Sequence, residues 1–80
     1  MRKLLVGEAR CLSSRARYYL LEDEEEPGAY GVRIELGREA ASAADLSPCR
    51  ERVEALARAL ARGSVTPVCL RDVVDDWLLE

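Results

Sequence analysis

The sequence predicts an α+β fold: an antiparallel four-stranded meander followed by two helices packed on one sheet face. Three observations predict it. Tyr30, Val32, Ile34 and Leu36 alternate with Gly31, Arg33, Glu35 and Gly37, the period of a strand with one face in a core and one in water. Leu70, Val73, Val74, Trp77 and Leu78 fall at i, i+3, i+4, i+7 and i+8, the apolar stripe of an amphipathic helix. The strand-like segments all precede the helix-like ones, and short connections pair consecutive strands and leave the helices to cover them.

Residues 3–12 form the first predicted strand. Leu5, Gly7, Ala9 and Cys11 share one face, and Leu4, Val6, Glu8 and Arg10 the other, so the alternation is imperfect. Ser13-Ser14 is a turn signal. The second strand spans 15–23: Arg15, Arg17, Tyr19 and Leu21 alternate with Ala16, Tyr18, Leu20 and Glu22. Its Tyr-Tyr-Leu-Leu centre favours strand and offers apolar groups to both faces. That suits a central strand, or one whose second face meets a partner. Five consecutive carboxylates, Glu22 to Glu26, then repel one another, and Pro27-Gly28 breaks regular structure.

The third strand spans 29–37 and ends at Gly37, which permits a tight turn. Residues 38–45 carry alanines that favour helix, but the preceding hairpin favours a fourth strand with Ala40, Ser42 and Ala44 on one face. Ser47-Pro48 reads as a helix start, with serine as N-cap and proline first. The first helix spans 48–62, with Cys49, Val53, Leu56, Ala57 and Leu60 as its stripe, Glu54 to Arg58 as an i, i+4 pair and Gly63 as the left-handed C-terminal residue. Val65 and Val68 would plug the junction, and the second helix spans 67–79. Trp77 is the largest apolar side chain available; if buried, its truncation would cost about 3–5 kcal/mol and abolish folding.

Eighty residues make one domain, long enough to bury about 60–65% of its unfolded surface. With 49% apolar and 34% charged residues, the composition is that of a folded, water-compatible domain. The run Leu4-Leu5-Val6 is too short for a secretory signal, and no stretch approaches a membrane span. Three widely spaced cysteines, Cys11, Cys49 and Cys69, fit a reduced, cytoplasmic chain. A net charge of −3 makes nucleic acid and anionic membrane unexpected partners.

The absence of histidine removes the commonest general base and neutral metal ligand. With no C-x-x-C pair, no calcium-loop spacing and no Gly-rich phosphate loop, no cofactor or metal is expected. Cys69 near the start of the second helix is the candidate reactive thiol, because a helix dipole lowers a thiol pKa there; a small buried apolar role weighs more heavily. The candidate interaction surface is Tyr18, Tyr19, Leu20, Leu21, Arg15, Arg17 and Arg33. Arginine interleaved with tyrosine on a sheet is also how some RNA-binding sheets work, although cross-strand Arg/Glu pairs explain it more simply.

The string Val65-Thr-Pro-Val-Cys-Leu-Arg-Asp-Val-Val-Asp-Asp-Trp-Leu78, together with Tyr18-Tyr-Leu-Leu-Glu-Asp23, Tyr30-Gly-Val-Arg-Ile34 and Asp45-Leu-Ser47, resembles a family of short uncharacterised proteins common in clostridial genomes. The resemblance covers nearly the whole chain. It implies a domain of unknown function and carries no catalytic residue over. Family members often have histidine where this chain has Cys69, which weakens a purely thiol-based role there. The function expected is a small protein-interaction or regulatory module without catalytic chemistry, binding a protein partner or a second copy of itself. The alternatives are a nucleic-acid module using the Arg/Tyr face and a thiol-dependent protein using Cys69.

Overall fold

Strand β2 (Ser14–Glu22) is apolar on both faces, and it lies inside the sheet between β1 (Arg2–Cys11) and β3 (Tyr30–Leu36). Strand β4 (Glu39–Ser47) completes an antiparallel sheet of order β1-β2-β3-β4. Helix α1 (Arg50–Arg62), a 3-10 turn (Pro67–Cys69) and helix α2 (Leu70–Leu78) follow. The computed structural model describes residues 1–11, 13–25 and 28–79. The predicted strand end at Leu12 and the Glu26-Pro27 part of the acidic loop lie outside the described residues.

The alternation of β2 and β3 sorts the side chains. Ala16, Tyr18, Leu20, Val32 and Ile34 are fully buried in one cluster with Val53, Leu56, Ala57 and Leu60 of α1 and Leu70 and Val74 of α2. α1 lies across β1, β2 and β3, and α2 with the 3-10 turn lies along β4. Tyr19 and Leu21 point to the opposite, helix-free face.

Two irregularities correct the sequence reading. A bulge between Leu5 and Gly7 resets the phase of β1, so Leu4, Val6, Ala9 and Cys11 pack on the core and Leu5 is left 55% exposed. The imperfect alternation of this segment is that phase change. In β4 the partner of Tyr30 is Ser47 and that of Val32 is Ala43, so extra residues bow out between them, and Asp45 takes a positive φ of 54°. The bow carries the strand past its predicted end at residue 45. It also brings the Ala43 carbonyl so close to Gly31 that a Cβ there would sit 2.2 Å from its oxygen. Gly31 is therefore fixed by backbone approach, while Gly37, at φ +59°, is fixed by the β3–β4 turn.

The helix ends also differ from expectation. α1 begins at Arg50 rather than at residue 48, with Cys49 as the capping residue; the Ser47 hydroxyl accepts the Cys49 N–H at 3.1 Å instead of capping the helix. Cys49 is exposed and is not part of the buried stripe. At the other end the left-handed residue is Ser64 (φ 50°), not Gly63 (φ −86°). Val65 N–H donates to Leu60 O and Ser64 N–H to Ala61 O, each at 3.1 Å, the paired bonds of a Schellman motif. Val65 packs on the core, whereas Val68 is 81% exposed and plugs nothing.

Trp77 is half-buried at the edge of the core, and the Arg52 guanidinium lies 5.0 Å from its ring centre. The deep contacts of α2 are Leu70 and Val74, and Leu78 is 54% exposed. Removing the indole therefore strips one margin of the core and costs less than the 3–5 kcal/mol of a buried tryptophan.

The Tyr18 hydroxyl donates to the Val65 carbonyl at 2.8 Å, and the Cys11 thiol reaches the Ser64 carbonyl at 3.8 Å. Burial, with Cys11 beside it, pushes the Tyr18 phenol from its ordinary 10.0 up to about 12. A group raised in the folded state contributes stability that is whole below pH 10 and is lost as pH climbs toward 12. Tyr18→Phe should lower stability by about 1 kcal/mol at neutral pH. It should also flatten the fall between pH 10 and pH 12, read from urea midpoints at several alkaline pH values. Gly31→Ala should cost on the order of 3 kcal/mol, because the obstructing atom belongs to backbone and cannot rotate away; a thermal melt measures it.

Candidate functional site

The helix-free sheet face is where the alternation of the strands collects charge. From β1 it receives Lys3, Leu5, Glu8 and Arg10, from β2 Arg15, Arg17, Tyr19 and Leu21, and from β3 Arg33 and Glu35. Five cations (Lys3, Arg10, Arg15, Arg17, Arg33) thus share the face with two carboxylates (Glu8, Glu35), although the chain as a whole carries −3.

The charges form two groups. Glu35 accepts hydrogen bonds from Lys3 Nζ at 2.6 Å and Arg33 Nε at 2.8 Å. Those bonds, Arg33 first and Lys3 second, hold its carboxyl down to about 2 from an ordinary 4.5. The Lys3 ammonium also lies 4.6 Å from the centre of the Tyr19 ring and caps it. Tyr19 and Leu21 are consequently 8% and 6% exposed despite having no helix above them. The second group is left unbalanced. Arg10 and Arg15 sit directly opposite one another across β1 and β2, and Arg17 follows on the same face. Glu8 alone serves them, 3.9 Å from Arg15 and 3.8 Å from Arg17, and Arg10 has no carboxylate partner among the described residues. An open hollow of about 310 Å³ lies alongside, lined by Ser14, Arg15, Arg17, Glu35 and Gly37.

The structure divides the surface predicted from sequence. Arg15, Arg17 and Arg33 are brought together on the helix-free face with Tyr19 and Leu21. Tyr18 and Leu20 are not: they point under α1, are fully buried, and belong to the core. Among the described residues that face offers no open aromatic platform for stacked bases, because Tyr18 is buried and Lys3 occupies Tyr19. The sequence places Arg10 with Arg15 and Arg17 around the first hairpin, but not Glu8 among them; the bulge at Leu5/Gly7 sets the face of Glu8 and Arg10, and that two of the arginines are directly opposed becomes visible only with the register.

Cys69 closes the 3-10 turn ahead of α2, with its N–H donated to Thr66 O at 3.0 Å and its thiol exposed. It is therefore not the buried apolar residue that outweighed the reactive reading. No acid–base group pairs with it among the described residues. The described residues likewise hold no group of three metal-ligating His, Cys, Asp or Glu side chains. In the acidic loop, Glu22 is engaged by Arg2 at 3.9 Å and Arg50 at 3.7 Å, and Glu25 N–H donates to Asp23 Oδ1 at 2.9 Å. No helix of the described residues is long and apolar enough to cross a membrane.

Glu35, whose carboxyl is depressed in the folded state, contributes stability that is present above pH 4.5 and is lost as pH falls toward 2. Glu35→Gln should remove that part of the acid slope, seen as urea midpoints that change less between pH 5 and pH 2.5 than those of the wild type.

The model of one family, described as a family of unknown function (DUF6514), matches residues 2–80. No curated protein and no solved structure matches the chain.

Proposed function

Because the chain belongs to that family of unknown function, its role has to be argued from its own surface, and we propose that it is a small protein-interaction module that docks an acidic segment of a partner protein on its helix-free sheet face. The observation that carries this is the opposed pair Arg10 and Arg15 with Arg17 beside them: Glu8 is the one carboxylate ion-paired with any of the three among the described residues, and Glu35, opposite Arg17 on β3, is engaged by Lys3 and Arg33. Like charges placed directly across two strands destabilise a sheet. A carboxylate-rich partner relieves that repulsion and uses it for selectivity and steering. Burial of β2 under α1 anchors the backbone of the platform, so little backbone ordering cost falls on the protein itself.

The proposal assigns the module no catalytic step. It places the protein in the reducing cytoplasm, where its three free thiols persist unpaired. It also takes self-association as a second mode of contact. Phosphate backbones would meet the same guanidinium groups, but the capped Tyr19 gives bases nothing to stack on, so a protein carboxylate is the better match.

Fluorescence anisotropy with a labelled oligoglutamate peptide and, separately, single-stranded RNA tests this at low salt. The wild type should bind the peptide, and Arg10→Ala/Arg15→Ala should weaken it about tenfold with a melt no lower than the wild type's, since both side chains are exposed and their mutual repulsion is removed. RNA binding tighter than peptide binding would overturn the assignment in favour of nucleic acid, and binding of neither would remove it.

A further inference from the structure

The sheet has two outer strands, and they are built differently. β1 is interrupted by its bulge and carries Arg2, Lys3, Glu8 and Arg10, features that discourage another strand from pairing. β4 pairs with β3 in register from Glu39 to Ala43 and bulges only beyond that; between the charges of Glu39 and Asp45 it reads Ala40-Ala-Ser-Ala-Ala44 with no proline, and its outer side has no strand beside it among the described residues. Such an edge is a template for strand addition.

Beyond that edge lies a groove of about 500 Å³ between β4 and α2. Both alternating sets of β4, Ala41 and Ala43 as well as Ser42 and Ala44, line it, so it opens at the edge of the sheet rather than onto one face. Leu70 and Val74 form its floor, Leu78 continues the apolar line while 54% exposed, and Arg71 and Asp75 stand at its rim. Those two are one turn apart, loosely paired at 3.9 Å, with side chains 89% and 61% exposed.

We propose that a second copy of this chain occupies the groove, the two β4 strands pairing antiparallel to make one continuous eight-stranded sheet. The inference rests on the reading of the protein as an interaction module but shares no residue with the basic face. The rim charges carry the choice of occupant. A two-fold axis normal to the sheet keeps both α2 helices on the same side and sets them antiparallel. Residues on the facing flank then meet in reverse order, so Arg71 of one copy faces Asp75 of the other, twice. A flank with a cation and an anion one turn apart is complementary to itself in that arrangement alone; a parallel neighbour would set like against like. Alanine and serine along β4 let the backbones approach without side-chain obstruction. A head-to-tail joint of β4 onto β1 is opposed by the bulge and charges of β1, so the assembly closes at two.

Sedimentation equilibrium over micromolar to millimolar concentration decides the matter, since the monomer is 8.9 kDa. The wild type should weigh twice that at the upper end. Arg71→Asp should raise the dissociation constant about tenfold or more, and adding Asp75→Arg should restore it, because the swapped pair is again self-complementary. Leu78→Asp should also weaken the dimer. All three positions are exposed, and a thermal melt confirms that each variant folds. A monomer at every concentration overturns the inference, as does a dimer indifferent to Arg71→Asp and Leu78→Asp. Peptide binding by Arg71→Asp, measured alongside, should be unchanged; its loss in the wild type would bear on the acidic-partner reading alone.

Discussion

Single-sided burial of the sheet is the constraint on which the rest of this molecule depends. Tyr18, Leu20, Val32 and Ile34 are covered by α1 and α2, which both lie on the same side of the sheet. Tyr18 anchors the arrangement at its centre. Its ring fills the core, and its hydroxyl meets the carbonyl of Val65, just past the Schellman turn that ends α1. One side chain therefore fixes the sheet, the end of the first helix and the approach to the second. A buried phenol must find an acceptor, and a loop carbonyl outside the helical ladder must find a donor. Each satisfies the other.

From that constraint follows the character of the opposite face. With both helices committed to one side, the outward residues of β1, β2 and β3 must remain compatible with water. Tyr19 and Leu21 achieve this through neighbouring charged side chains rather than through a helix. Lys3 sits over the Tyr19 ring while bonding Glu35, so one ammonium serves a carboxylate and an aromatic face together. The charged groups at the Lys3 end are satisfied by one another, and those at the Arg10 end are not. A sheet that tolerates opposed guanidinium groups, when a glutamate at either position would pair at once, retains a positive surface at some expense of stability.

The two bulges act on the surface as well as on the core. The one in β1 turns Glu8 and Arg10 onto the helix-free face and roughens one margin of the sheet. The one in β4 falls after Ala43, so the regular part of that strand is short, carries its only charge at Glu39 where it begins, and is bordered by α2. The two margins of the sheet therefore differ in where their extra residues are accommodated, mid-strand in β1 and beyond the in-register part in β4.

The class of fold, the order of its elements and most of its core are legible in the residues alone. Periods of two in residues 15–36 and of 3.6 in the two helical stripes are local consequences of backbone geometry, and they survive folding unchanged. Val53, Leu56, Ala57, Leu60, Leu70 and Val74 are buried where those periods place them. Only the tertiary structure decided that Tyr18 rather than Trp77 stands at the centre, that Leu4 and Val6 share a face with Ala9, and that Arg10 confronts Arg15. The physical reason is common to all three. A bulge changes the phase of a strand without leaving a mark in composition, and cross-strand neighbours are set by register. A helix stripe, in turn, shows which side is apolar but not how far each residue reaches past the margin of the sheet beneath it.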